Sequence, residues 1–581
     1  TTATNSYNTG VGYQAGGAVT TGTQNTLIGG LAGDALTTGT FNTAVGYAAL
    51  SADLKGLNNT AIGYQALNAQ QFGGSTNVYN TAVGHNAGAL VTTGIQNTIM
   101  GGLAGDALTD ADNNVAIGYS AMTTNVLGSE SVAIGTFALN SQNPATAVNM
   151  YNVAVGHNAG AAVTTGVQNV FVGALSGDAT QTGNSNTAIG HSALTDACTG
   201  ADNTALGRSA LQSNLAGAYN VGLGGVTLQT NEAGSRNVAV GYASLQNFNA
   251  SGNTYNTAVG YQAGLSVTTG LQNTLIGGLA GDSLTDADDN VAIGVVALTA
   301  DTLGSRSVAV GRGTLGTQNF TTATNTYNTA VGYDAGAAVT TGIYNTLIGG
   351  LAGDALTDAD YNVAVGGDAL SSDTLGSRSV AIGTSALSAQ NFTTATDAYN
   401  VAVGNSAGAA VTTGVANILI GGRAGDALTD ADYNLAIGRD ALGSDTLGSR
   451  SVALGHDTLA AQNFTTATDA YNVAIGYSAG TAVTTGVQNT LMGAFAGDAL
   501  TDADLNVAVG YQALSADTKG SRSVAIGYSA LFSQNFTTST NSFNTAVGDS
   551  AGQQVTTGLQ NTLIGALAGD ALTDADDNVA I

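Results

Sequence analysis

The pentapeptide NVAVG, residues Asn362 to Gly366, sets the period of this chain. Near copies recur along its whole length, among them NTAVG at Asn42, NTAIG at Asn59 and SVAIG at Ser379. A short motif repeated at a fixed interval indicates one structural unit stacked on copies of itself. The interval between the copies therefore decides which architectures are possible.

The glycine that ends each copy, here called the closing glycine, measures that interval. Successive closing glycines are 17, 17, 17 and 21 residues apart, and these four steps make a block of 72 residues. One such series runs through Gly332, Gly349, Gly366, Gly383 and Gly404. Between residues 157 and 260 the pattern is irregular, because five steps of 17 and one of 19 replace it. The sequence therefore predicts one continuous repeat array over residues 1–581.

Seventeen residues are too few for a pair of helices, which needs about 33. Glycine every few residues, with β-branched Val, Ile and Thr between, favours short strands. We therefore predict an all-β fold, a parallel β-solenoid of 17-residue coils nested in the 72-residue block. Stacked about 4.8 Å apart, the coils predict a rod of roughly 150 Å.

Alternate residues of a strand share a face, so each motif divides into two sets. The residues one and three before the closing glycine, such as Val331 and Thr329, are the larger, and we expect them inside the coil. The residues two and four before it, such as Ala330 and Asn328, form the other face, where the Asn or Ser of each coil predicts a ladder of side chains. Because Ala and Gly permit close approach of another backbone, we expect chains to associate along this second face, as a homotrimer.

Composition excludes several classes of function. The chain carries a formal net charge of -27 with only two lysines and nine arginines, Lys+Arg being 11 in total. No basic patch is available for nucleic acid. No apolar run is long enough to span a bilayer. The single cysteine, Cys198, cannot form a disulfide within the chain and is expected to pack as a small side chain. Both ends fall within a repeat, so we expect the sequence to be a window on a longer chain.

The repeats resemble those of a known family. Asn290 to Ala297 (NVAIGVVA) and Ser379 to Ala386 (SVAIGTSA) are similar to the head repeats of YadA-like trimeric autotransporter adhesins. NTAIGYQAL, residues 59–67, and NVAVGYQAL, residues 506–514, resemble repeats of bacteriophage tail-fibre proteins. The resemblance implies a left-handed parallel β-roll, a trimer, and display on a cell or virion. The family's usual coil is somewhat shorter than 17 residues.

Acidic loops are the first candidates for a site. In GDALTDAD the carboxylates of Asp354, Asp358 and Asp360 alternate along the chain, and such oxygen ligands could hold calcium. The alternative is pairing with arginine on the neighbouring coil, since an Arg follows the last Asp eighteen residues later. The pairs are Asp288 with Arg306, Asp360 with Arg378, Asp432 with Arg450, and Asp504 with Arg522. We favour the arginine pairing.

One copy of this acidic loop departs from the pattern, because Asp112 is followed by Glu130 instead of arginine. Two like charges on neighbouring coils repel unless a cation lies between them. This copy is therefore the preferred place for a bound calcium ion. Apart from this hypothesis, no cofactor is expected.

The repeats contain three further features that could carry a function. The paired threonines of VTTG, such as Thr340 and Thr341, return once in four coils, which is too sparse for an ice-binding array. The 21-residue coils carry an insertion with Phe392 and Tyr399. An aromatic side chain in such a loop could contact a receptor. We favour the alternative, in which Phe392 packs on the roll or on a neighbouring chain. The histidines lie on separate coils and are expected to face solvent: His85, His157, His191 and His456.

No constellation of catalytic residues is present, so we expect no enzyme and no catalytic, cofactor or metal residues. The leading interpretation is a structural fibre shaft that holds a distal binding domain away from a virion or cell and supports attachment to a host. The alternatives are an adhesin whose surface itself binds a glycan or protein receptor, and a subunit of an extracellular matrix or filament.

Overall fold

A computed structural model describes residues 5–581, and these contain strands, turns and irregular segments but no helix. The chain divides into two compact units, the first ending at Asp289 and the second spanning Asn290–Ile581. Each unit is a parallel β-solenoid, as the 17-residue period predicts. The continuity of one array across the whole chain stays a prediction.

Each coil contributes one short strand to a parallel main sheet in its unit. Neighbouring strands pair in the register of the repeat, so that Thr346, Leu347 and Ile348 lie opposite Val363, Ala364 and Val365. In unit 1 the main-sheet strands are Thr9–Val11, Thr26–Ile28, Thr43–Val45, Thr60–Ile62, Thr81–Val83, Thr98–Met100, Val115–Ile117, Val132–Ile134, Val153–Val155, Val170–Val172, Thr187–Ile189, Thr204–Leu206, Val221–Leu223, Val238–Val240, Thr257–Val259 and Thr274–Ile276.

Unit 2 repeats this arrangement. Its main-sheet strands are Val291–Ile293, Val308–Val310, Thr329–Val331, Thr346–Ile348, Val363–Val365, Val380–Ile382, Val401–Val403, Ile418–Ile420, Leu435–Ile437, Val452–Leu454, Val473–Ile475, Thr490–Met492, Val507–Val509, Val524–Ile526, Thr545–Val547, Thr562–Ile564 and Val579–Ala580.

The insertions of the longer coils form separate two-stranded parallel sheets. Each pairs a segment before the insertion with its last residues, as Gly376–Ser377 pairs with Thr396–Asp397. The other pairs are Gly56–Leu57 with Thr76–Asn77, Gly128–Ser129 with Val148–Asn149, Ala233–Ser235 with Ser251–Asn253, Gly304–Ser305 with Thr324–Asn325, Gly448–Ser449 with Thr468–Asp469, and Gly520–Ser521 with Thr540–Asn541.

The predicted orientation of the main-sheet strands was wrong. Ala330, Leu347 and Ala364 are fully buried, whereas Ile348 keeps 39% of its surface exposed. The small residues point into the coil because seventeen residues enclose a space too narrow for a branched side chain from every coil. Where a larger residue does point inward, glycines make room for it. A Cβ atom at Gly353 would lie 2.7 Å from a methyl group of Leu347.

The predicted ladder of amides exists, but it lies inside the coil and not on an interchain face. The backbone N–H of Asn362 donates to Oδ1 of Asn345 at 2.9 Å, and Nδ2 of Asn345 donates to the carbonyl of Ala359 at 2.7 Å. Each amide therefore bonds a neighbouring coil and a turn of the backbone at the same time. Buried polar groups need such partners, which explains why Asn is retained in so narrow an interior.

The closing glycine is required by the stacking of coils within one chain. Gly366 has a φ of 138°, and a Cβ atom there would lie 2.6 Å from the carbonyl carbon of Gly383 on the next coil. The close approach that we attributed to a second chain is therefore an approach of the same chain. Residues other than glycine also adopt the left-handed backbone conformation at least once in each coil, for example Tyr361, Asp368 and Leu370.

Candidate functional site

The outer sheet face, defined as the residues one and three before each closing glycine, is an exposed apolar surface of each unit. From Val331 onward in unit 2, the residue before the closing glycine alternates between a half-buried and a more exposed aliphatic side chain. The exposed members keep 36% to 40% of their surface accessible and are Ile348, Ile382, Ile420, Leu454, Met492, Ile526 and Ile564. Threonine and valine dominate the other row of this face. Water is therefore in contact with a regular array of branched side chains.

A stack of aromatic rings and guanidinium groups lies along another side of the coils. The rings of Tyr344 and Tyr361 are 5.0 Å apart and nearly parallel. Arg378, on the next coil, places its guanidinium carbon 5.0 Å from the Tyr361 ring and 5.9 Å from the Tyr399 ring. Arg450 repeats the arrangement between two tyrosines. Each guanidinium is attracted to the faces of the rings beside it by a cation–π interaction.

The predicted partner of these arginines was wrong. Arg378 forms its ion pair with Asp397, with 2.9 Å between Nε and Oδ1, and Arg450 pairs with Asp469 at 2.8 Å. Asp360 instead accepts the backbone N–H of Ile343 at 2.8 Å. Arg378 has a positive φ of 63°, and its guanidinium lies beside the insertion that follows, where Asp397 is found. Burial raises the pKa of Asp360.

The proposed pair of Asp504 with Arg522 differs in the same way. Nε of Arg522 donates to Oδ1 of Asn541 at 3.1 Å and not to Asp504. Asp504 accepts the backbone N–H of Val487 at 2.8 Å. In the second half of unit 2 the acidic loop therefore bonds to the coil before it. Arg306 donates to the hydroxyl of Tyr327 at 2.8 Å, and its pairing with Asp288 stays a prediction.

The proposed calcium ligands do not converge. Asp358 accepts the hydroxyl of Thr341 at 2.5 Å, Asp360 accepts a backbone N–H, and Oδ1 of Asp354 is buried without a hydrogen-bond partner. Each carboxylate thus points to a different place, so these residues do not form an oxygen cage. Burial is the main cause that raises the pKa of Asp354, and the charges of Asp368 and Asp334 raise it further.

The exceptional pair of acidic residues also finds neutral donors. Oδ1 of Asp112 accepts the backbone N–H of Ile95 at 2.7 Å, and Oε1 of Glu130 accepts Nδ2 of Asn149 at 3.0 Å. The two carboxylates therefore interact with different coils, one before and one after. A cation beside Glu130 stays a prediction, and this geometry gives it no support.

Within residues 5–581 the potential metal ligands that do converge are Asp440, His456 and Asp457, whose ligand atoms lie within 4.8 Å of one another. Sequence reasoning missed this group, because it depends on stacking one coil on the next. Two arginines already occupy Asp440, with Arg423 at 2.6 Å and Arg439 at 3.1 Å. These positive charges would repel a divalent cation, so the group is a network of ion pairs and not a metal centre.

The insertions of the 21-residue coils are anchored from inside. Asp373 is fully buried, and its Oδ1 accepts the N–H groups of Gly376 at 3.1 Å and Phe392 at 3.0 Å. Its Oδ2 accepts Nε2 of Gln390 at 2.6 Å. Phe392 is 6% exposed, which confirms that it packs on the roll, whereas Tyr399 is exposed.

This anchor recurs in other blocks, and sequence reasoning missed it. The signal is an Asp three residues before a glycine, followed by a Gln seventeen residues later. The other buried pairs are Asp53 with Gln70, Asp301 with Gln318, Asp445 with Gln462, and Asp517 with Gln534. Burial raises the pKa of Asp53. The insertions are therefore fixed extensions of the coil.

This chain matches no protein-family model and no curated protein sequence. Within residues 5–581 no helix exists that could cross a membrane.

Proposed function

We propose that this chain forms the shaft of a homotrimeric fibre displayed on a virion or a cell surface. The shaft spaces a distal binding domain from the surface and so supports attachment to a host. The observation that carries the proposal is the outer sheet face, a regular apolar face that no other part of its unit covers. The resemblance of the repeats to adhesin heads and tail fibres supports the number of copies, the left-handed coil and the location outside the cell.

The size of the outer sheet face favours association with further copies of this chain. Along unit 2, from Ile348 to Ile564, the coils extend for about 60 Å at 4.8 Å each, and a strand of three residues is about 10 Å wide. The face therefore covers about 600 Å². That equals the largest apolar patches usually exposed by monomers and approaches the roughly 800 Å² that each partner buries in a typical interface.

The repeat itself makes identical copies the fitting partners. More exposed Ile, Leu or Met side chains alternate with half-buried Val or Ile side chains, so that the exposed ones recur on every second coil, about 9.6 Å apart at the usual strand spacing. A second copy in the same register presents the same spacing along the whole face. A partner with a different period would lose this match after a few coils.

Sedimentation equilibrium of the full chain tests the association. We expect a mass three times the chain mass of 56.9 kDa. A variant carrying Ile382→Lys and Ile420→Lys places two charges on the outer sheet face and should sediment as a monomer with its β-structure intact. Thr394→Lys, on an exposed insertion loop, is the matched control and should stay trimeric. A monomeric or dimeric wild-type chain would contradict the trimer.

Immunogold electron microscopy tests the location. Antibodies raised against the purified chain should label fibres that project from virions or cells of the source. Labelling confined to the cell interior would refute surface display, even if the chain proved to be trimeric.

A further inference from the structure

A groove opens in unit 1 at the place where the 72-residue block is interrupted. Its volume is about 480 Å³, and its polar lining consists of Glu232, Asn249, Ser251 and Thr269. Leu271 contributes an apolar wall. This volume falls within the range of about 300–1,000 Å³ that is typical of small-molecule sites.

A shortened insertion accounts for the groove. In the regular 21-residue coil, four residues connect Asn391 to the short strand Thr396–Asp397, namely Phe392 to Ala395. In the 19-residue coil only Ala250 and Ser251 connect the corresponding Asn249 to Gly252, which pairs with Gly234. A Cβ atom at Gly252 would have no neighbour within 4 Å.

The aromatic side chain has also moved away from this position. Phe248 is fully buried inside the coil, and a Cβ atom at Gly234 would lie 2.7 Å from its ring. In the regular coil, a Cβ atom at Gly376 would meet the ring of Phe392 at the same distance. Two residues later in the 19-residue coil, the position of that phenylalanine is taken by Ala250, which leaves space at the surface.

The lining combines hydrogen-bonding groups with an apolar wall. Glu232 supplies a carboxylate that accepts hydrogen bonds, and Ser251 supplies a hydroxyl that donates and accepts. The hydroxyl of Thr269 donates a hydrogen bond to Asp286, so that its oxygen is left to accept one. Asn249 receives the backbone N–H of Glu232 on its Oδ1 at 3.2 Å, which orients its Nδ2 group as a donor.

We propose that this groove binds a neutral hexose unit of a saccharide. A pyranose ring presents hydroxyl groups around its edge and C–H groups on its faces, which match the polar groups and the wall formed by Leu271. The one charged lining residue is an acid, in a chain with a net charge of -27. Phosphorylated and acidic sugars are therefore disfavoured. The proposal is independent of the fibre proposal, because it needs only the groove of unit 1.

Saturation-transfer NMR and titration of the full chain with methyl β-D-glucopyranoside, methyl β-D-galactopyranoside and D-glucuronate test the site. A ligand of about 13 heavy atoms at an ordinary ligand efficiency gives a dissociation constant of about 1 mM. At least one neutral glycoside should bind near this value. Glu232→Gln should weaken binding about tenfold, since it replaces a charged acceptor with a neutral one.

A loop exchange within the chain provides the decisive variant. Residues 248–251 are replaced by residues 390–395, QNFTTA, which restores the 21-residue coil. The neighbouring Asn231 should accept the introduced glutamine, because Gln142 and Asn125 already occupy the corresponding positions around Gly128. The exchanged chain should keep its circular dichroism spectrum and its mass in sedimentation, and it should lose binding.

Three results would overturn the proposal. The first is no binding of either neutral glycoside at about ten times the expected dissociation constant. The second is binding that survives the loop exchange in a folded chain, which would place the sugar elsewhere. The third is tighter binding of D-glucuronate than of both neutral glycosides, which contradicts the charge argument. None of these results bears on whether the chain is a trimer.

Discussion

Replacement of Asn345 by alanine should open one coil of unit 2 locally. The side chain has no exposed surface. Its Oδ1 accepts the backbone N–H of Asn362 at 2.9 Å, and its Nδ2 donates to the carbonyl of Ala359 at 2.7 Å. Alanine therefore leaves one buried donor and one buried acceptor without partners.

Each buried backbone group that loses its partner costs about 1–3 kcal/mol. Asn345→Ala should accordingly lower the free energy of local opening by about 2–6 kcal/mol. A tenfold change in an equilibrium corresponds to about 1.4 kcal/mol. Amide exchange around this coil should therefore accelerate by between about 30-fold and about 20,000-fold. Because repeat arrays couple mainly through nearest neighbours, distant coils should keep their protection.

Hydrogen exchange measured by mass spectrometry on peptides that cover residues 340–365 gives the required resolution. Asn345→Asp is the matched variant, since it keeps the acceptor for Asn362 but cannot donate to Ala359 when ionised. Burial against a carbonyl raises the pKa of such a carboxyl. Its loss of stability should appear as the pH rises above about 4 and should diminish in acid, where the protonated carboxyl can donate.

An acceleration of less than about threefold in Asn345→Ala, at a mass and β-content equal to wild type, would refute this reasoning. It would mean that the amide ladder contributes less than about 0.7 kcal/mol. Equal exchange of Asn345→Asp at acid and neutral pH would refute the assigned donor to Ala359.

The remaining predictions separate neighbouring residues with opposite surroundings. Leu347→Ala should lower the local stability measured by hydrogen exchange by about 2–5 kcal/mol. Ile348→Ala should lower it by about 1 kcal/mol or less and should instead weaken self-association in sedimentation. A larger loss of stability for Ile348→Ala than for Leu347→Ala would mean that Ile348, and not Leu347, points into the coil. Gly366→Ala should abolish pairing with the next coil, because its Cβ would meet a carbonyl carbon at 2.6 Å, whereas Gly367→Ala, whose Cβ meets nothing within 4 Å, should leave the melting temperature unchanged. Asp354→Asn should raise the stability of the protein at pH 7. A carboxyl whose pKa is raised in the folded state destabilises the fold as the pH rises through the unfolded value of 3.8, and asparagine removes this effect. A melting-temperature difference between variant and wild type that persists undiminished near pH 3 would contradict this sign.

The outcome for the arginines shows how far sequence spacing reaches. The interval between Asp360 and Arg378 correctly placed both residues on neighbouring coils, since the backbone N–H of Arg378 bonds to the carbonyl of Asp360. It did not give the direction of either side chain. Arg378 lies in the left-handed region and pairs with Asp397 on the far side. The sequence likewise did not predict the groove beside Glu232. The cause of the groove, a coil shortened to 19 residues, can nevertheless be read from the sequence.

The sequence by itself determined the period, the β-solenoid and the parallel register, because a fixed 17-residue interval with closing glycines permits coils to stack only in register. It also determined which residues share a face, since alternate residues of a strand always do. Only the tertiary structure decided which of the two faces lies inside. That choice depends on the width of the closed coil, which admits small residues such as Ala330 on most coils and a larger one such as Leu347 only where glycines make room for it. No alternation of residues along a strand encodes a width.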